Sequence, residues 1–203
     1  MSARDEVLGR IRAANAAAGS PAPPAVPRDY RREGRSAAGS DEVIELLTDR
    51  LIDYRAQVID ARAGDVPGAI STALSSVDGK ILVPAGLPPG WCPEGVPDSG
   101  FSPLELDGFA AVVTGCAAAC ATTGTIALDA SPDQGRRAIT LVPDVHVCVV
   151  RADQVVDTVP ELLARLDPVR PTTFISGPSA TSDIELERVE GVHGPRTLIV
   201  VLA

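Results

Sequence analysis

The chain has 203 residues, with 18 Lys+Arg against 27 Asp+Glu for a formal charge of −9 at pH 7, and is 45% hydrophobic, 22% charged and 3% aromatic. That length holds one domain with an appendage, or two very small ones, and the balance is that of a folded chain with an aliphatic core. Nucleic-acid binding is disfavoured, because the acid surplus repels phosphate and the aromatics (Tyr30, Tyr54, Trp91, Phe101, Phe109, Phe174) form no stacking platform.

The N-terminus, MSARDEVLGRIR, carries acids and arginines where a secretory signal needs an apolar run, so a cytoplasmic protein is expected. Ser2 as N-cap and Val7, Leu8, Ile11 and Ala14 at helical spacing predict a short helix with a narrow apolar stripe. The prolines and arginines that follow cannot continue it, so residues 1–39 read as a helix plus extended linker and residues 40–203 as the compact domain. Residues 1–35 hold seven arginines against four acids, a net of +3, which leaves −12 for the remainder.

From Ser40 the pattern alternates. A helix with Val43, Ile44, Leu47, Leu51 and Tyr54 on one face precedes a strand at Ala56–Asp60. Asp65 and Pro67 mark the start of a second helix, running to about Ser76, and Lys80–Pro84 is an apolar strand. Strands that are apolar throughout belong to a sheet covered on both faces, so the expected class is α/β with a mixed, mostly parallel sheet. Gly86–Gly100 is rich in turn formers and reads as a long loop. The least polar run, Ala110–Ala121, is about half the length of a membrane helix. Strands are expected at Ala110–Thr114, Gly124–Asp129, Ala138–Val142 and Val145–Val150, the last three as a local antiparallel ribbon. A helix over Thr158–Leu166 and buried strands at Thr172–Ser176 and Thr197–Leu202 complete the pattern.

Cys92, Cys116, Cys120 and Cys148 lack the spacings of zinc or iron–sulfur ligation, and Cys116 and Cys120 read as small buried thiols. No metal site is expected. Lys80 is the only lysine and follows no glycine-rich loop, which excludes a P-loop ATPase, and no G-x-G-x-x-G fingerprint is present.

Polar residues and glycines concentrate in four places. Thr123, Gly124 and Thr125 offer hydroxyls and approachable backbone N–H groups to an anion, a plain turn being the alternative. Arg136 and Arg137 on a tight turn suit a carboxylate or phosphate, solvated arginines being the alternative. The loop Ser176–Glu185, with Gly177, Ser179, Thr181 and Asp183 as its candidates beside Ser176, follows a buried strand, and in open α/β sheets ligands collect beyond the carboxyl ends of strands. His193, between two glycines, is a candidate acid or base, or else a structural turn histidine. His146, inside VHVCVV, reads as a satisfied core or sheet-face histidine.

In order, TTGT (122–125), QGRR (134–137), LVPDVHVCVV (141–150), DQVVDTVPE (153–161), SGPSATSDIE (176–185) and GVHGPR (191–196) resemble the lactate utilization protein C family, which carries the LUD domain. The resemblance covers most of residues 40–203. It implies a Rossmann-like αβα sandwich similar to the sugar-phosphate isomerase and coenzyme A transferase superfamily, and a subunit of bacterial L-lactate oxidation to pyruvate. Iron–sulfur partner proteins would hold the clusters, and this chain would bind no cofactor of its own. In that setting Thr123, Gly124, Thr125, Ser176, Gly177, Ser179 and Thr181 would surround a small carboxylate or other anion. Arg136 or Arg137 would pair with it, Asp183 would orient the loop, and His193 would move a proton. Relatives often have glutamate where this chain has Thr122, so an acyl-glutamate mechanism is not expected at that position. Two alternatives stand beside this reading: a stand-alone isomerase or acyl transferase, and a non-catalytic scaffold docking through its arginine-bearing arm.

Overall fold

A computed structural model describes residues 2–19, 25–181, 189–190 and 193–203, in two units, residues 1–30 and residues 31–203. In the first, α1 (Ala3–Ala17) begins at Ser2, whose hydroxyl accepts from the Asp5 N–H while the Asp5 carboxylate accepts from the Ser2 N–H. None of its residues is buried, and Val7 and Ile11 stand exposed.

The second unit runs α2 (Asp41–Asp53), β1 (Gln57–Asp60), α3 (Val66–Leu74), β2 (Lys80–Val83), β3 (Val96–Pro97), α4 (Pro103–Leu106), β4 (Phe109–Thr114), β5 (Ala118–Cys120) and β6 (Thr125–Leu128). It continues through β7 (Val145–Val150), β8 (Val155–Val156), α5 (Val159–Ala164), β9 (Thr173–Ile175), β10 (Ala180–Thr181), β11 (Val189–Glu190) and β12 (Thr197–Leu202). Six strands in the order β1-β12-β7-β4-β2-β3 form a sheet whose neighbours all pair in parallel. A second sheet, β8-β5-β6-β9, is mixed, with β6 antiparallel to both its neighbours. The α/β class expected from the sequence is the one observed.

Side chains alternate across a strand, and both faces of the parallel sheet are covered. Val147, Val149, Ile199, Val201 and Val113 pack on one face with Ile70 of α3. On the other, Cys148, Val150, Leu198, Val200 and Leu202 meet Val43, Ile44, Leu47 and Leu51 of α2, together with Ile126, Leu128 and Val155 of the second sheet. One cover of the sandwich is therefore a helix joined to a small sheet. The four α2 side chains are 3% exposed or less, and burying each stabilises the fold by about 1.5–3 kcal/mol. The expected helix starts hold: the Asp65 carboxylate accepts from the Gly68 N–H at 2.8 Å, and Thr158 with Glu161 forms a capping box around Pro160. Ahead of α2, the Asp157 carboxylate accepts from the N–H groups of Arg35 (2.6 Å) and Ser36 (3.3 Å) and fastens that segment.

Several expectations are corrected. Ala138–Val142 is not a strand; Arg137–Thr140 is a 3-10 turn that buries Ile139 and Thr140. Its apolar residues answer to a local pocket formed by Leu82, Leu106, Phe109 and Val112 rather than to a sheet. The antiparallel partners of β6 are β5 and β9, whereas β7 belongs to the parallel sheet. Thr173–Ile175 is an edge strand with Phe174 52% exposed, not a buried one. Tyr54 is the exposed C-cap of α2, and the long loop contributes β3. Among the described residues no helix is long and apolar enough to cross a membrane.

Candidate functional site

A cavity of about 310 Å³ opens where β7 and β12 begin. His146 and Leu198, the second residues of those strands and register partners, line it. Thr140 and Leu141 approach from the 3-10 turn, Thr173–Ser179 from β9 and its following loop, and His193–Pro195 from the segment before β12. The site thus lies at the amino ends of the parallel strands. The expectation of a loop beyond a carboxyl end is corrected, because β9 is not part of the parallel sheet. Asp144 and Arg196 tie the two strand entrances together, with Arg196 Nε 2.7 Å from Oδ1 and Nη2 2.6 Å from Oδ2. Those bonds hold the Asp144 carboxyl below the usual carboxylate range.

The adjacent arginines separate. Arg137 lines the cavity, and its guanidinium makes no ion pair with a described residue. Arg136 instead grips Asp98, Nε to Oδ2 at 2.7 Å and Nη2 to Oδ1 at 3.0 Å, and also donates to the Phe101 carbonyl at 2.6 Å. It does not line the cavity, and as the residue that opens the 3-10 turn it aims Arg137 there.

Ser176, Gly177 and Ser179 line the wall, as does His193, whose side chain is exposed. The Ser179 hydroxyl accepts from the His193 N–H at 3.0 Å, and the Ser179 N–H donates to the Pro195 carbonyl at 2.8 Å, so the two loops are latched. Thr123, Gly124 and Thr125 stand behind the wall: the Thr123 hydroxyl donates to Thr125 Oγ1, which lies 2.8 Å from Ser176 Oγ. The Gly124 N–H is engaged by the Ala121 carbonyl at 3.2 Å, so it is not offered to an anion. Gly124 and Gly177 both have positive φ, and a Cβ would meet Arg50 Cβ at 2.8 Å in the first and Tyr54 Cβ at 2.6 Å in the second. Their smallness lets the end of α2 seat against the site. Thr181 lies in β10, paired with Val189 of β11, and Asp183 lies outside the described residues. Thr122 is occupied away from the cavity, donating to the Asp157 carbonyl at 2.5 Å.

His146, expected as a core or sheet-face histidine and not among the candidate site residues, also belongs to the cavity. It is buried and hydrogen-bonded, as expected, with Nε2 2.8 Å from Thr114 Oγ1, but its ring also lines the cavity. Burial pushes it down to about 4, so it is neutral at physiological pH. The one available signal was a polar residue in an otherwise apolar strand.

Comparison with known proteins places the chain in the class of LUD-domain proteins. A LUD domain model matches residues 105–203, a stretch that contains every cavity-lining residue. A "Lactate utilization protein C" of Deinococcus radiodurans is 48% identical over 169 residues, 79% of each chain, and its Bacillus subtilis namesake is 26% identical over 193 residues, 80% of this chain and 78% of that one. A crystal structure of a DUF162 family protein from Deinococcus radiodurans superposes with a TM-score of 0.68 at 43% identity, covering 79% of this chain and 96% of the other. The chain belongs to the lactate utilization protein C family.

Proposed function

We propose that this protein serves L-lactate oxidation to pyruvate in the bacterial cytoplasm, binding a small carboxylate in the cavity and working with iron–sulfur partner proteins. The family's name supports the pathway, and one observation carries the site: Arg137 faces the cavity with no acidic partner among the described residues. A guanidinium lining a cavity is matched by the two oxygens of a carboxylate. Ser176 and Ser179 add hydroxyls along the same wall, and His193 adds an imidazole as the candidate acid or base. The electrons leaving lactate pass to the partners, since this sequence carries neither clustered cysteine ligands nor a dinucleotide fingerprint.

The test is genetic. In a strain lacking the gene, the wild-type chain should restore growth on L-lactate, and Arg137→Ala, accumulating to the same level, should not. Full restoration by Arg137→Ala would overturn the site, and undiminished growth of the deletion strain would overturn the pathway.

A further inference from the structure

We propose that His146 reads the oxygen on the second carbon of the bound acid, so that the cavity selects 2-oxo and 2-hydroxy acids over plain carboxylic acids; this rests on the carboxylate reading above. Thr114 and His146 are both buried, and the contact between Oγ1 and Nε2 at 2.8 Å is the sole hydrogen bond of the Thr114 hydroxyl among the described residues. Leaving a buried donor unmet costs on the order of 1–3 kcal/mol. The hydroxyl proton therefore goes to Nε2. With Nε2 as acceptor, a neutral imidazole carries its own proton on Nδ1.

That Nδ1–H has no partner among the described residues. Nor is it sealed in, for the one buried side-chain polar atom lacking a partner among them is Ser40 Oγ. On this assignment the ring N–H faces the cavity that His146 lines. The cavity therefore has a charged donor on an exposed residue, Arg137, and a neutral donor on a buried one, His146. A carboxylate goes to the charge, which turns the second carbon inward, and its oxygen accepts from the neutral N–H. Leu141 and Leu198 leave apolar surface for a short alkyl end.

Calorimetric titration of the full chain at pH 7 with pyruvate, L-lactate and propionate tests this. The wild type should bind the first two roughly tenfold more tightly than propionate, the worth of one hydrogen bond. His146→Leu should bring the ratio below about twofold with propionate affinity unchanged, and His146→Asn, which keeps an N–H, should recover part of it. A wild-type ratio near one, or a ratio preserved in His146→Leu, overturns the assignment while leaving the carboxylate site standing. Binding of none of the three acids overturns both. The wild-type ratio is read without any substitution, so a His146→Leu chain that fails to fold still leaves the proposal falsifiable.

Discussion

Arg136 and Asp98 form a two-pronged ion pair, Nε to Oδ2 at 2.7 Å and Nη2 to Oδ1 at 3.0 Å, which anchors the turn that delivers Arg137 to the cavity. Arg136→Ala should lower stability by about 1–2 kcal/mol, since it leaves the mostly buried Asp98 carboxylate without its partner. Arg136→Lys should recover little, because a point charge cannot reproduce the fork. Urea denaturation of both variants checks this; a transition unchanged by Arg136→Ala would show the pair to be ornamental.

That division of labour also shows what was legible in the sequence. Val145–Val150 and Thr197–Leu202 read correctly as strands because both faces of the sheet are covered, so each is apolar but for His146 in the first and Thr197 in the second. Ala118–Cys120 escaped notice because small residues carry no hydrophobic period, and Ala138–Val142 resembled a strand because the overlapping turn Arg137–Thr140, which buries Ile139, has a similar composition. In the site, the motifs around Ser176 and His193 could be found as clusters of glycine and polar residues. The separate fates of Arg136 and Arg137 depend on Asp98, far away in the chain, and the role of His146 depends on Thr114 across the sheet. No local pattern encodes those pairings.

The two glycines under α2 predict a second outcome. Gly177→Ala places a Cβ against Tyr54 Cβ and its carbonyl, and Gly124→Ala places one against Arg50, each at positive φ. Each substitution should cost about 1–3 kcal/mol by chemical denaturation. Wild-type stability in both would remove the close-packing explanation for these residues.

Acid should weaken the fold in two separate windows. His146 lies near 4 when folded against an ordinary 6.5, so the unfolded chain binds the extra proton between those values. Its contribution is complete above pH 6.5 and is lost as pH falls toward 4, by about 3 kcal/mol in all. Asp98 and Asp144, held low by Arg136 and Arg196, act below the ordinary carboxylate value of 3.8 instead. Stability measured from pH 7 to 4 should slope downward in the wild type and flatten in His146→Leu; equal slopes would mean the ring is not desolvated.

Asp157 holds the Arg35 and Ser36 backbone and receives the Thr122 hydroxyl. Asp157→Ala should accelerate tryptic cleavage after Arg35, read by mass spectrometry, without changing cleavage after Arg12 in α1. An unaltered rate at Arg35 would place the anchor elsewhere.

Everything proposed for the cavity depends on Arg137 binding a carboxylate. Calorimetric titration of L-lactate into the full wild-type chain and into Arg137→Ala measures this directly, with thermal unfolding as the control for folding. The prediction is a saturable wild-type isotherm, at least about tenfold weaker binding in the variant, and unchanged unfolding temperatures. Identical isotherms, or no binding to the wild type, would contradict it.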